Sequence, residues 1–437
     1  MREEVATTTE ARESRQWIAA WAGIAIVTVL AIWRLRDFPY HLSWVAAFQG
    51  MREVLSTTLW AAVRIWIFWA WSAAVIAGII LRFDPEIDLA DAILSGFGGL
   101  WVLAYLLGIL LGPLRLFNTA TIWSLLAIGT IWLWYHPPRI PWRPLSTGEK
   151  LTLLAAALLA VSMLPLQLAS PVAPFMDILA TPSATQRIVT FGVYLPFDND
   201  AYGVWIPTAE TMGLDLFLAM LARGADLHFA AGALAHSQAM LAIVVLLMFA
   251  TWRLGKTLFN DTAGGVAALL LFWTCLLRRA QGVRGAVTVL ALVGLGLAFL
   301  LDPSHRRTLM ALGAMVLATA VGSYSLLGGF AMILASVGVL FWLLEGDVSG
   351  FITGVIYLAG ASLITVPQLA VSSERPLPYL VLAGSVALGI AVIVVNYAKV
   401  SFTQPVTNQR TVKILNTLLI VAFVVLALRH QDNSVLY

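Results

Sequence analysis

Charged side chains are scarce in this chain: Asp, Glu, Lys and Arg make up 11% of its 437 residues, where soluble domains carry about 25%. So thin a polar complement excludes an ordinary soluble globule. Cysteine is nearly missing as well. The single Cys275 excludes a disulfide within the chain and any cysteine-based metal cluster. Histidines number six and are scattered, with no HExxH or comparable ligand spacing. The net charge of +3 is modest and gives no argument for a nucleic-acid partner.

What the chain does have is apolar length. It is 60% hydrophobic, with a mean hydropathy of +0.88. Runs of 18 or more apolar residues recur, each long enough to cross a hydrocarbon core of about 30 Å. They are continuous rather than alternating, which excludes a β-barrel. The expected fold is all-α: a polytopic helical membrane protein with about 13 transmembrane helices. The predicted spans lie near 17–33, 58–81, 92–112, 119–135, 150–169, 230–252, 262–277, 285–301, 308–323, 329–344, 350–367, 378–397 and 412–429. Four Glu and three Arg precede the first span without a small-residue cleavage pattern, so an uncleaved anchor is expected.

Basic loops favour the cytoplasm. Arg139, Arg143 and Lys150, then Arg253 and Lys256, then Arg306 and Arg307, then Lys399, Arg410 and Lys413 fall on one side of the thirteen-span arrangement. The N-terminus is then cytoplasmic, and the polar stretch from Asp177 to Gly232 is outer. Two basic loops oppose this, Arg34, Arg36 and Arg52, and Arg278, Arg279 and Arg284. Residues 38–57 read either as an interfacial helix or as a polar connector.

The outer stretch holds Asp177, Asp198, Asp200, Glu210, Asp215 and Asp226, six of the chain's 23 Asp and Glu. Helical spacing appears around Arg187. A second stripe of Met212, Leu214, Leu216, Phe217, Met220 and Leu221 predicts a helix lying on the membrane surface. A carboxylate at the end of a span is tunable, because burial raises its pKa and a nearby arginine lowers it. That suits a general base acting on an acceptor hydroxyl, with Arg187 and Arg223 as partners for a phosphate. Asp177 fits a helix cap equally well, Asp198 and Asp200 fit a turn, and Glu210 fits compensation of a helix dipole. Asp177 with Asp198 or Asp200 also offers oxygen ligands for a divalent metal, although no spacing demands one. Gly264-Gly265 and Gly328-Gly329 read as close helix contacts. Trp17, Trp21, Trp60, Trp66, Trp69 and Trp71 read as interfacial anchors or lipid-facing bulk.

The order of these pieces resembles a known family. A span ends in P-F-M-D (Pro174 to Asp177). The outer segment carries P-T-A-E (Pro207 to Glu210) and ends in Ala222-Arg223-Gly224. The next span has His236 near its start and closes on W-R-L-G-K-T-L-F-N-D-T-A-G-G-V-A-A-L-L (Trp252 to Leu270). With the glycine-rich run from Ser95 to Gly112, this is similar to bacterial integral-membrane glycosyltransferases of the GT-C class, over about residues 90 to 345. The resemblance implies an N-terminal region over 1–149 with about four spans, a GT-C-like core over 150–345 with outer loop 170–229, and C-terminal transmembrane helices over 346–437. It implies sugar transfer from a polyprenyl-phosphate donor at the outer face of a bacterial inner membrane, with Asp177 as the catalytic carboxylate. Arg187, Asp198, Asp200, Glu210, His236, Arg278, Arg279 and Arg284 are the expected substrate-binding residues, and no cofactor is required with certainty. Arg278, Arg279 and Arg284 suit the donor's phosphate or lipid headgroups equally well. Departures exist: Arg284 stands where an acid is expected, Ser323-Tyr324-Ser325 stands where a Lys-Tyr or His-Pro pair is common, and no soluble outer domain follows the last span. These motivate a second expectation, a non-catalytic subunit with membrane-protein partners. A transporter is the third reading, for which the chain shows no internal repeat.

Overall fold

The computed structural model describes residues 44–365, apart from 113, 170–179, 192–196, 200–204, 208–211, 229–230, 272–284, 305 and 324. The expected spans at 17–33, 378–397 and 412–429 lie outside these residues. Apart from connecting loops and one short hairpin, the described chain is helical. In order, the helices are α1 (Trp44–Phe83), α2 (Leu89–Leu111), α3 (Thr119–Tyr135), α4 (Thr147–Ala169), α5 (Ala180–Phe191), α6 (Met212–Gly224), α7 (Ala231–Leu258), α8 (Asp261–Leu271), α9 (Gly285–Leu300), α10 (Arg307–Ser323), α11 (Ser325–Leu344) and α12 (Val348–Ser362), with a 3₁₀ turn at Leu363–Thr365. Strands β1 (Phe197–Asn199) and β2 (Trp205–Pro207) pair antiparallel between α5 and α6, with Asp198 opposite Ile206.

Each remaining expected interval carries a helix. Five helices among the described residues are long and apolar enough to cross a membrane: Thr58–Phe83, Leu89–Leu111, Ala231–Leu258, Leu327–Leu344 and Val348–Thr365. The apolar helices Thr119–Tyr135, Asp261–Leu271, Val289–Leu300 and Arg307–Ser323 are shorter. Of residues 38–57, read from sequence as an interfacial helix or a connector, 44–57 are helical and form the start of the 40-residue α1, while 38–43 lie outside the described residues. Nothing in 44–57 breaks a helix: it contains a single glycine and no proline.

Local sequence explains where helices begin. Asp88 and Asn118 accept from the backbone N–H of Asp91 and Thr121 at 2.8 and 2.9 Å, capping α2 and α3. Ser146 and Glu149 form a reciprocal capping box on α4. The Glu149 N–H donates to Ser146 Oγ at 3.2 Å, and the Ser146 N–H donates to Glu149 Oε2 at 2.6 Å. Asn260 caps α8 and Asp347 caps α12 in the same manner.

The principal surprise is α6. Its apolar stripe predicts a helix on the membrane surface, yet every residue from Gly213 to Gly224 is buried. This short helix is sunk into the bundle, packed against α1, α2, α3, α5, α7 and α10. Phe217 stacks on Trp101 at 3.7 Å between ring centroids and meets Trp69 edge-on at 5.2 Å. Leu216 fills the place beside Gly108, where an added Cβ would come within 2.4 Å of it. The residues opposite the stripe include Ala219 and Ala222. Small side chains there let neighbouring helices close over that face. Trp69 is corrected for the same reason: it is a core residue, 2% exposed. Trp60 and Trp71 do face outward, and Trp66 donates to the Gln238 carbonyl at 2.9 Å. Trp17 and Trp21 lie outside the described residues.

Candidate functional site

The two ends of α7 define two polar regions. Twenty-one residues separate Gly232 from Arg253, a helical rise of roughly 30 Å. At the Gly232 end sits the segment between α4 and α7. Gln186 on α5 accepts from the Gly232 N–H at 3.1 Å and donates to the His228 carbonyl at 3.1 Å. Arg223, at the end of α6, donates to the Ile188 and Val189 carbonyls at 2.9 and 2.6 Å. These carbonyls belong to the last turn of α5, where acceptors have no partner within the helix. The Trp123 indole donates to the Gly224 carbonyl at 3.1 Å, completing the end of α6. These contacts tie α5 and α6 into the bundle.

Arg223 is therefore not available to a phosphate in the way the sequence suggests. It is 8% exposed and holds α5. His236 lies in the first turns of α7 and is 1% exposed. Arg187 is half-buried on α5. The backbone of Asp198 lies in β1. Asp177, Asp200, Glu210, Arg278, Arg279, Arg284 and Cys275 lie outside the described residues. Among the described residues no three His, Cys, Asp or Glu side chains form a group that could hold a metal; Asp177 and Asp200, considered from sequence for a divalent ion, are not among them.

The opposite end carries a dense ionic network that the sequence reading missed. Arg253 is 3% exposed. Its Nε donates to Asp91 Oδ1 at 2.5 Å and its Nη2 to Asp91 Oδ2 at 3.0 Å. The same Nη2 reaches Asp302, and Nη1 donates to Thr257 at 2.6 Å. Beside it, Arg143 grips Glu149 through both terminal nitrogens, at 2.9 and 2.6 Å, and reaches Asp88 at 3.1 Å. Lys256 pairs with Asp88 at 3.5 Å, and Arg306 with Asp84 at 3.4 Å. Arg143 before α4, Arg253 and Lys256 near the end of α7, and Arg306 before α10 thus gather at one end, in line with the sequence; the fourth expected group, Lys399, Arg410 and Lys413, lies outside the described residues. Besides Glu149 and Asp302, the counter-ions come from Phe83–Asp91, which holds four carboxylates in nine residues. That acidic run on a basic side is the signal that could have revealed the network.

The motif from Trp252 to Leu270 finds its explanation here. Asp261 accepts from the Trp252 indole at 3.1 Å, the Ser146 hydroxyl at 2.8 Å and the Gly148 N–H at 2.7 Å. Its charge thus sits at the N-termini of both α4 and α8, where it is favoured. A Cβ on Gly264 would lie 2.3 Å from the Trp252 carbonyl oxygen, so only glycine permits the sharp return of α8 along α7. Close packing also accounts for Gly265, against Gly148, and for Gly328, against Val321. The motif's conspicuous residues thus serve helix packing and end-capping.

Two carboxyls of this end lie outside the membrane helices and are held below the usual carboxylate range. For Asp302, burial pushes its pKa up, but the Arg253 charge and hydrogen bonds from Ser304 and Arg253 together outweigh it. For Asp88, burial likewise opposes ionisation, and the Asp91 N–H, Lys256 and Arg143 together prevail. Groups with depressed folded values stabilise in full above the unfolded value, about 3.9 for Asp, and lose that contribution as pH falls through the folded value. Thermal unfolding in detergent is therefore expected to show a gap between wild type and Asp302→Asn that holds from pH 7 to 5 and narrows below pH ~4. A gap independent of pH would contradict the assignment.

Comparison with protein-family models, curated proteins and solved structures finds no match to this chain.

Proposed function

We propose that this chain is a membrane glycosyltransferase of the GT-C type. It transfers a sugar from a polyprenyl-phosphate donor to an acceptor hydroxyl at the outer face of a bacterial inner membrane. The observation that supports the reading is the anchoring of α5 and α6, which lie between α4 and α7. α6 is buried within the bundle, α5 is fastened to it through Arg223 and Gln186, and a hairpin bearing Asp198 stands between them. A connector built this firmly is suited to hold chemistry rather than merely to join spans. In this reading Asp177 is the general base that takes the acceptor's proton. Arg187, Arg278, Arg279 and Arg284 hold the departing lipid phosphate by charge-assisted hydrogen bonds, and the thirteen-span arrangement puts all of them on one side.

Purified protein in detergent, given labelled polyprenyl-phosphate hexoses and pentoses, should transfer sugar, and Asp177→Ala should reduce turnover by about 10²-fold or more. Absence of transfer from every donor, together with normal function of Asp177→Ala in cells, would reject the reading.

A second reading, a non-catalytic subunit on the same scaffold, draws on α3. Only Ile122 and Leu126 of that 17-residue helix are buried. Ile128 is 65% exposed and Trp134 84%, leaving a broad apolar face for lipid or for a partner's helix. Co-purification of one membrane protein in fixed ratio, lost in Ile128→Glu, favours this reading; a monodisperse single chain counts against it.

A further inference from the structure

We propose that the cleft between α2, α4 and α7 binds one acyl chain of an anionic phospholipid, with the lipid's phosphate at Arg143 and Lys256. The cleft has a volume of about 360 Å³, within the range of about 300–1,000 Å³ usual for small-molecule sites. Leu94 and Leu246 form its buried floor, Phe97 and Phe249 line its walls, and the exposed Ile93 and Leu153 stand at its rim. Arg143 and Glu149 are the only lining residues with polar side chains. The cleft lies along the half of α7 that leads to Arg253, so an alkyl chain entering from the bilayer brings its headgroup to the ionic end.

Hydrogen-bonding capacity at the mouth selects the headgroup. Glu149 is 4% exposed at its side chain and accepts from Arg143 and from the Ser146 N–H. Asp88 accepts from the Asp91 N–H, and Arg143 and Lys256 share its second oxygen. The carboxylates are thus largely taken. Donors remain: Arg143 Nε makes no hydrogen bond among the described residues, and the Lys256 ammonium has three N–H groups with Asp88 no closer than 3.5 Å. Unspent donors beside an apolar cleft match a phosphate joined to an acyl chain. This site lies toward the opposite end of α7 from Gly232 and Gln186 and does not depend on the catalytic reading.

Native mass spectrometry of the full chain in mild detergent tests it. Phosphatidylglycerol, phosphatidylcholine, diacylglycerol, polyprenyl phosphate and glycerol phosphate are added in turn. Wild type is expected to retain one phosphatidylglycerol about tenfold more tightly than diacylglycerol, the equivalent of one charge-assisted contact, and not to retain glycerol phosphate. Arg143→Gln and Lys256→Gln should each erode the preference for phosphatidylglycerol. Ala242→Trp, which fills the cleft, should lower retention of every lipid. Should Arg143→Gln fail to fold, Lys256→Gln and Ala242→Trp still decide. Equal retention of phosphatidylglycerol and diacylglycerol, tighter retention of polyprenyl phosphate, or unchanged binding in folded Ala242→Trp would each overturn the proposal.

Discussion

Arg253→Ala should cost about 3–5 kcal/mol, because it strands two buried carboxylates without a counter-charge. Asp91 and Asp302 are 6% and 7% exposed, and both face the guanidinium. Marginal stability of 5–15 kcal/mol is typical of folded chains, so the variant should be recovered in detergent with a markedly lower unfolding temperature or as aggregate. Arg253→Lys should rescue only partly: an ammonium cannot match the bidentate contact to Asp91 while reaching Asp302 and Thr257. The informative companion is Arg253→Met with Asp91→Asn and Asp302→Asn. Removing all three charges leaves no ion uncompensated, and stability should recover most of the loss. If Arg253→Ala unfolds within a degree or two of wild type, the clamp is not holding α2, α7 and the α9–α10 turn together.

Phe217→Ala is expected to be nearly as damaging, at about 3–5 kcal/mol for deletion of a fully buried aromatic side chain. Phe217 lies between Trp101 and Trp69 and is 0% exposed. Removing the ring leaves a void that two indoles fixed on α1 and α2 are poorly able to close. Phe217→Leu should recover part of the loss by keeping volume, without the stacking contact. The readout is thermal unfolding of purified protein in detergent. A surface helix would tolerate Phe217→Ala with a change of less than about 1 kcal/mol, so the two pictures of α6 are well separated.

These two residues show why sequence reading succeeded at one level and failed at another. Spans are legible because lipid demands long apolar runs and because charges collect at their ends. The Ser146–Glu149 capping box and the gathering of Arg143, Lys256 and Arg306 on one side follow from such local signals. Depth within a membrane bundle is not local. Met212, Leu216, Phe217 and Met220 make the same stripe whether the opposite face meets water or other helices. Only the small residues Ala219 and Ala222, and glycines such as Gly108 on a distant helix, distinguish the cases. Partner choice is equally non-local. Arg253 and Asp91 are 162 residues apart, and no periodicity joins them. Within Trp252 to Leu270, the close helix contact read at Gly264-Gly265 is found, while the role of Asp261 in joining Trp252, Ser146 and Gly148 has no local signal. Of the candidate site, Arg187, His236 and the backbone of Asp198 are on view, but Asp177, Asp200 and Glu210 lie outside the described residues.

The central structural claim is that α6 is a core helix of the bundle. Cysteine accessibility measures this directly, since Cys275 is the only native thiol. In a Cys275→Ser background, Ala219→Cys and Ala222→Cys lie on the face a surface helix would turn to water, and Ser183→Cys lies on the exposed side of α5. The expected result is rapid labelling of Ser183→Cys by a membrane-impermeant maleimide, with Ala219→Cys and Ala222→Cys labelled only after denaturation. Labelling of all three at similar rates in the folded protein would place α6 on the surface and contradict the account.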